Sequence, residues 1–362
     1  MIRHIFILCS VIVAAGNATA ETTDTLLFDS HEVLELTMPV DFESLCRPSE
    51  NPDCDYTPTV FEYLDANGNQ QSVPISIRRR DGWRSLEANC QVPTIFVRFS
   101  DEDTAGTPFE GQTTLALTSH CGKGIAAESD GARTVTLPDE FESYVGNEYL
   151  GFRLYNLVTD VSLRVRFIKI TYANPENPNR DFTRNGFFAE HFETLAERLG
   201  AQLLPENSFD PERLDLEAAD QLALFNFMVG NTDWSIENQD NVFLLRFPDG
   251  KDVPVIFDLD MSGLVNAHYA SPAPGLPIKK VKHRYYLGFC HPDTDWDALF
   301  TKFSGLEEDI MKMLIGSPGL GRGDRRESGS YLDSFYDTLD SADARKTRIV
   351  DRCREMPSGG DM

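Results

Sequence analysis

From about residue 26 to 121 the apolar positions fall in short runs rich in β-branched or aromatic residues, and further along they fall at helical spacing. The runs at 33–37, 59–63, 72–77 and 94–99 predict strands. Asn67-Gly68 lies between two of them and predicts a type I′ hairpin turn. It outweighs the faint likeness of 65–69 to a calcium loop, because the glycine comes too early for an EF-hand. A Gly/Ala/Ser-rich connector follows at 122–131. Leu150, Leu154, Leu157 and Val158 then put a helix over 141–159, followed by a strand at 161–172 and a proline-containing loop at 174–179. A second helix is expected over 187–199, ending at Gly200, which suits a left-handed cap. The segment 216–229 is apolar almost all round and reads as a buried helix. Strands at 241–247 and 253–257 flank the turn Pro248-Asp249-Gly250. The remainder reads as helical, broken by a loop at 317–330. Within it Gly319-Leu320-Gly321-Arg322-Gly323 lacks the ending of a phosphate loop, and Arg322-Gly323-Asp324 is a common chance tripeptide. No internal repeat is visible.

An apolar run at 5–15 precedes all of these, behind Arg3 and ahead of Ala18-Thr19-Ala20. That order predicts a signal peptide cleaved after Ala20. The run is about half of the ~20 residues a membrane-spanning helix requires, and no later stretch is long and apolar enough, so no membrane span is expected. An exported protein, periplasmic or extracellular, follows. Cleavage would leave 342 of the 362 residues and change the formal charge from −25 to −26, since Arg3 is lost with no acid. So acidic a chain repels a nucleic-acid backbone, which excludes that partner but not a nucleotide held through a metal ion. Six cysteines remain beyond Cys9, and an even count in an exported protein implies disulfides. Of the 15 pairings that six cysteines allow, Cys46 with Cys54 would pin a loop and Cys90 with Cys121 would cross two strands. Cys290 with Cys353 would tie the C-terminal helix down.

The chain thus divides into the signal peptide 1–20, a β-rich lobe 21–185 with one long helix, and a mainly helical lobe 186–362. Its chemistry concentrates in Gly230-Asn231-Thr232-Asp233-Trp234, then Asn241 directly before a strand, then Phe257-Asp258-Leu259-Asp260 after the next one. Carboxylates at strand ends beside a carboxamide can hold a hard cation such as Mg²⁺, while a further Asp can orient a hydroxyl and take its proton. The histidines are scattered without the spacing of a triad or a metal site. Asp293-Thr294-Asp295-Trp296-Asp297 reads as the cap of a helix starting at Trp296.

This order of residues resembles the kinase-like spore-coat protein H family, and more distantly the HipA-type kinases. Further resemblance lies in Arg80-Asp81-Gly82-Trp83-Arg84, in Asn147-Glu148-Tyr149-Leu150, and in Gly186-Phe187-Phe188-Ala189-Glu190. Together these cover roughly residues 30–265. The resemblance implies an α+β, two-lobed atypical protein-kinase-like fold, β-rich N-lobe and mainly helical C-lobe. It also implies ATP as the substrate, Mg or Mn as the metal, and a hydroxyl on an unknown protein or glycan acceptor. Asp233 would be the catalytic base, Asp258 the principal metal ligand assisted by Asp260, and Asn241 the second metal ligand, with Asn238 the other choice. Glu148 would pair with a phosphate-holding base, and Glu190 would lie at the lobe junction beside the nucleotide. Where the family carries a lysine, the strand at 94–99 offers Arg98, and Arg80, Arg84, Arg164, Arg166 and Lys169 are the other basic residues. A second class of function fits the same residues: a non-catalytic envelope or surface binding module, whose partner binding would survive loss of the acids. A third is a metal-dependent hydrolase, which would release free phosphate.

Overall fold

A computed structural model of the chain describes residues 26–46, 51, 53–80, 90, 92–119, 121–122 and 141–357. The signal peptide, Arg84 and nearly all of the Gly/Ala/Ser-rich connector lie outside the described residues. Seven strands form one closed barrel: β1 (Leu34–Pro39), β2 (Thr57–Leu64), β3 (Gln70–Arg79), β4 (Ile95–Arg98), β5 (Thr114–Ser119), β6 (Val165–Ala173) and β7 (Phe182–Ala189). The short α1 (Asp101–Thr104) links β4 to β5, and α2 (Phe141–Val158) precedes β6.

The barrel corrects the expected fold class. A typical kinase N-lobe is an open sheet, whereas here the strands run β1-β2-β3-β4-β5-β7-β6 and close. The cause is β1. It pairs in parallel with β6 along its whole length, from Leu34↔Ile168 to Pro39↔Ala173, and meets β2 at Thr37↔Glu62, so no sheet edge is left open. The helix expected over 187–199 is also corrected. Phe187 and Phe188 point to opposite sides of β7, as a period-two strand requires. Phe188 meets Phe61 and Phe109 inside the barrel at ring separations of 5.8 and 6.1 Å, and Phe187 meets Tyr149 and Phe152 of α2 at 6.1 and 5.8 Å. Only α3 (Phe192–Leu199) is helical, capped by His191 and by Gly200 at φ 63°.

Beyond the barrel, β8 (Gln202–Leu203), β9 (Val242–Arg246) and β10 (Asp252–Ile256) form a small sheet against the buried α4 (Leu216–Val229). Helices α5 (Trp296–Gly305), α6 (Glu307–Gly316), α7 (Arg322–Asp340) and α8 (Ala342–Arg348) complete the second core. Asp295 caps α5 by accepting from Ala298 N–H at 2.9 Å. The stretch expected to be a loop at 317–330 is mostly α7, started by Asp324 accepting from the Gly321 N–H at 2.8 Å. Residues 261–292, expected to be largely helical, are turns and irregular segments. The hairpin at Asn67-Gly68 forms, with Gly68 at φ 80°, but its loop runs from Leu64 to Gln70 around the Asp65 carboxylate.

The cysteines pair Cys46–Cys54, Cys90–Cys121 and Cys290–Cys353. Among the described residues no helix is long and apolar enough to cross a membrane. The last disulfide seats Arg354, which donates to Glu237 through Nη1 and, at 2.8 Å, through Nη2. Burial would raise the Glu237 pKa, but the Arg354 fork outweighs it and holds the carboxyl below its ordinary 4.5. A depressed carboxyl stabilises the fold above its unfolded pKa and loses that contribution as pH falls through the folded value. Glu237→Gln should therefore cost about 1–2 kcal/mol near neutral pH, since Arg354 is partly exposed. Urea titrations of both proteins should begin to converge as the pH drops below about 4.5 and meet below the depressed folded pKa.

Candidate active site at the end of the buried helix

Helix α4 ends because Gly230 turns left-handed, at φ 68°, with its N–H on the carbonyls of Asn226 and Phe227. Two buried asparagines then shape the loop. Asn226 Nδ2 is anchored on the Leu222 carbonyl at 3.0 Å, and Asn231 Nδ2 donates to Asn226 Oδ1 at 3.0 Å. Asn231 in turn accepts the Asp233 N–H on Oδ1 at 3.0 Å and the Trp234 indole N–H on its carbonyl at 3.2 Å. Asp233 is thereby presented, half-buried, on a loop with little freedom.

Asn241 closes the arrangement from the start of β9. Its φ of 53° is a left-handed conformation that Asn tolerates better than most residues. Its amide nitrogen donates to the Asp233 carbonyl at 2.7 Å and to Asp233 Oδ2 at 3.0 Å. Both bonds use Nδ2, and the amide oxygen takes no part in them. Asp258 and Asp260 follow β10, with Asp258 Oδ1 accepting the Asp260 N–H at 3.2 Å. Burial raises the Asp233 pKa, the Asp260 charge adds to it, the Asn241 hydrogen bond opposes, and Asp240 adds a smaller upward push.

The two acidic loops are tied to one another by backbone. Gly263 N–H donates to the Gly230 carbonyl at 3.0 Å and Leu264 N–H to the Val229 carbonyl at 2.9 Å. The Tyr331 hydroxyl lies against both glycines: a Cβ on Gly230 would come within 1.9 Å of it, and one on Gly263 within 2.3 Å. Arg284 sits under the Tyr331 ring, 3.8 Å from its centre, and donates to the Met228 carbonyl at 2.9 Å.

The other sequence candidates are placed elsewhere or spent. Asn238 is exposed in the turn between Ser235 and Asp240. Glu148 is buried in α2, and Glu190, only 1% exposed, receives Arg164 and Arg198. Arg98 stands over the Tyr56 ring at 3.9 Å and Arg80 over the Phe96 ring at 5.4 Å. Missed by the sequence reading are Asn226, Gly263, Arg284 and Tyr331. Asn226 carried a signal, as a carboxamide inside an apolar helix, and so did Gly263, three residues after the second acid. Nothing in the sequence marks Arg284 or Tyr331.

Among the described residues no three His, Cys, Asp or Glu side chains gather into a metal cage. Asp258, Asp260 and Asn241 carry oxygen donors of the kind that could hold a hard cation such as Mg²⁺. Mg²⁺ is commonly held by about one or two carboxylates, with phosphates and water completing the shell.

No protein-family model matches the chain, and no curated protein matches it. Among solved structures it is similar to the proinflammatory kinase CtkA of Helicobacter pylori, at 10% identity and a TM-score of 0.39, over 75% of this chain and 95% of that one. That neighbour is kinase-like; it does not assign the chain to the spore-coat protein H family.

Proposed function

We propose that the protein is an exported phosphotransferase that moves the γ-phosphoryl group of ATP to a hydroxyl on a protein or glycan acceptor. The observation that carries this reading is the bond from Asn241 to Asp233, which holds a carboxylate of raised pKa beside the Asp258-Leu259-Asp260 loop. Asp233 would orient the acceptor hydroxyl and take its proton as the new O–P bond forms and the nucleoside diphosphate leaves with the electron pair of the broken bond. Asn241 fixes the rotamer of Asp233, and the Gly230–Gly263 hydrogen bond keeps the two acidic loops in register. A divalent cation on Asp258 and Asp260 would supply neutralisation of the charge on the phosphates. The three disulfides support an extracytoplasmic site of action.

A site with few protein ligands implies that metal and nucleotide bind together. Mn²⁺ should bind weakly to the protein alone and at least ~10-fold tighter with a non-hydrolysable ATP analogue present, with that gain lost in Asp258→Asn. Electron paramagnetic resonance of free Mn²⁺ reads this directly. The reading itself is tested by transfer of labelled γ-phosphate with Mg²⁺ or Mn²⁺. Label on the protein or an added acceptor supports it, and free phosphate alone would indicate hydrolysis instead.

One observation favours the non-catalytic binding module. Glu190 is engaged by two arginines and Arg98 lies over an aromatic ring, so neither stands in the Asp233 cluster. Absence of metal-dependent nucleotide binding would select that module.

A further inference from the structure

On another face of the molecule a cavity of about 300 Å³ opens between the segment before β1, the second half of α2, the start of β6, and α3. Its lining includes Arg153, Arg164, Arg198 and His31, in a chain whose net charge is −25. Two of these guanidiniums are fixed side by side by one buried carboxylate. Arg198 donates to Glu190 through Nε at 2.9 Å and Nη2 at 2.8 Å, and Arg164 donates through Nε at 3.3 Å. Glu190 offsets one of the two positive charges. Asp29, 3.7 Å from Arg164, is more than half exposed, and Asp160 at the rim is exposed as well, so solvent screens both.

The third guanidinium is under-served. Among the described residues Arg153 has no carboxylate partner, and its one hydrogen bond runs from Nη1 to the Tyr149 hydroxyl at 3.3 Å. Its Nε is buried without a partner. Outside the lining, among the described residues, Arg166 is 7% exposed and is held by the carbonyls of Leu27 and Ser30. Glu32, an exposed residue, acts on Arg166 only through its charge. Arg153 thus brings to the cavity lining a positive charge with no carboxylate beside it, which favours an anion entering there. Burial, then Arg153 and Arg166, lower the His31 pKa and keep the ring from adding a charge of its own.

We propose that this cavity binds a phosphate oxyanion, free or as a small phosphomonoester, between Arg153, Arg164 and Arg198. The donors come from α2, from the residue before β6, and from α3, so they approach from different directions. A tetrahedral anion can accept from all of them, whereas a planar carboxylate is matched by a single fork. The cavity is distinct from the Asp233 site. Gly151 of α2 faces Leu259, where a Cβ would lie 2.9 Å from Leu259 Cδ1, and Arg153 is about 200° further round the helix. The proposal does not depend on phosphoryl transfer.

The test is equilibrium dialysis of labelled inorganic phosphate against the full chain in EDTA, at constant ionic strength. Saturable binding is expected, weakened about 10-fold or more in Arg153→Gln and unchanged in Asp233→Asn. Arg153→Lys keeps the charge and stem but loses the fork, and should bind several-fold more weakly with an unchanged melting temperature in phosphate-free buffer. Competition by glycerol phosphate tells an esterified ligand from the free ion: stronger binding of the ester points to a phosphomonoester. No saturable binding at millimolar phosphate overturns the proposal, as does equal binding by the wild type and both Arg153 variants.

Discussion

Asp233→Asn should lower the rate of phosphoryl transfer by about 10²–10⁴-fold, the range expected for loss of a general base. The substitution keeps the shape of the loop. Asn241 still has the backbone carbonyl at position 233 to bond, at 2.7 Å in the native protein, and an amide oxygen there can accept its second hydrogen bond. Stability should not fall. Burial first, and then Asp260, raise the Asp233 pKa above its ordinary 3.8. A raised carboxyl stabilises the fold only while protonated, a contribution complete below the unfolded pKa and lost as pH rises through the folded value. At neutral pH the charged Asp233 therefore works against folding, and the variant should melt at the same temperature or higher in metal-free buffer. Rate and melting curve together separate the roles. An inactive but equally stable variant assigns Asp233 to chemistry, whereas full activity removes it from the mechanism, and a large loss of stability makes it a structural cap.

Gly230→Ala should destabilise the protein by about 2–5 kcal/mol, from the left-handed backbone and from overpacking. At φ 68° a Cβ is strained, and it would also lie 1.9 Å from the Tyr331 hydroxyl and 3.1 Å from the Val281 carbonyl. Among the described residues the Tyr331 hydroxyl is buried without a hydrogen-bond partner, so Tyr331→Phe alone should be neutral or stabilising. In the double variant the oxygen is gone and part of the Gly230→Ala cost should return, leaving mainly the backbone strain. Additive effects in a denaturation cycle would mean that the hydroxyl is not what the new methyl meets. Activity should fall with stability, because the carbonyl of Gly230 is the acceptor that holds the second acidic loop in place.

Local rules decided much of what could be read in advance. The buried helix 216–229, its glycine stop, the hairpin around Pro248-Asp249-Gly250 and the cap at Asp295 all follow from short-range chemistry. So does the placement of Asp233, Asn241, Asp258 and Asp260 at element ends, where polar groups escape the core. The segment from Phe187 reads as helix because Phe187, Phe188 and Phe192 are all apolar, and only the bodies on either side of β7 reveal its period of two. The start of α7 reads as a loop because it is rich in glycine and serine, but the Asp324 cap and the packing of Tyr331 and Phe335 outweigh that weak propensity.

The sequence by itself determined the nearness of Asn241 to Asp258, because they flank one hairpin, whereas the backbone bond from Gly263 to Gly230 that ties their loop to the Asp233 loop forms only in the folded chain. It also held the three cysteine pairs as one choice among many. Closure of the barrel was decided only in three dimensions. The pairing of β1 with β6 spans more than a hundred residues, and no local pattern encodes which edge a strand will meet. The same holds for the arginine-lined cavity and for the Tyr331 hydroxyl between two glycines. Each is made of residues far apart in sequence, and their contacts exist only after the two cores have packed.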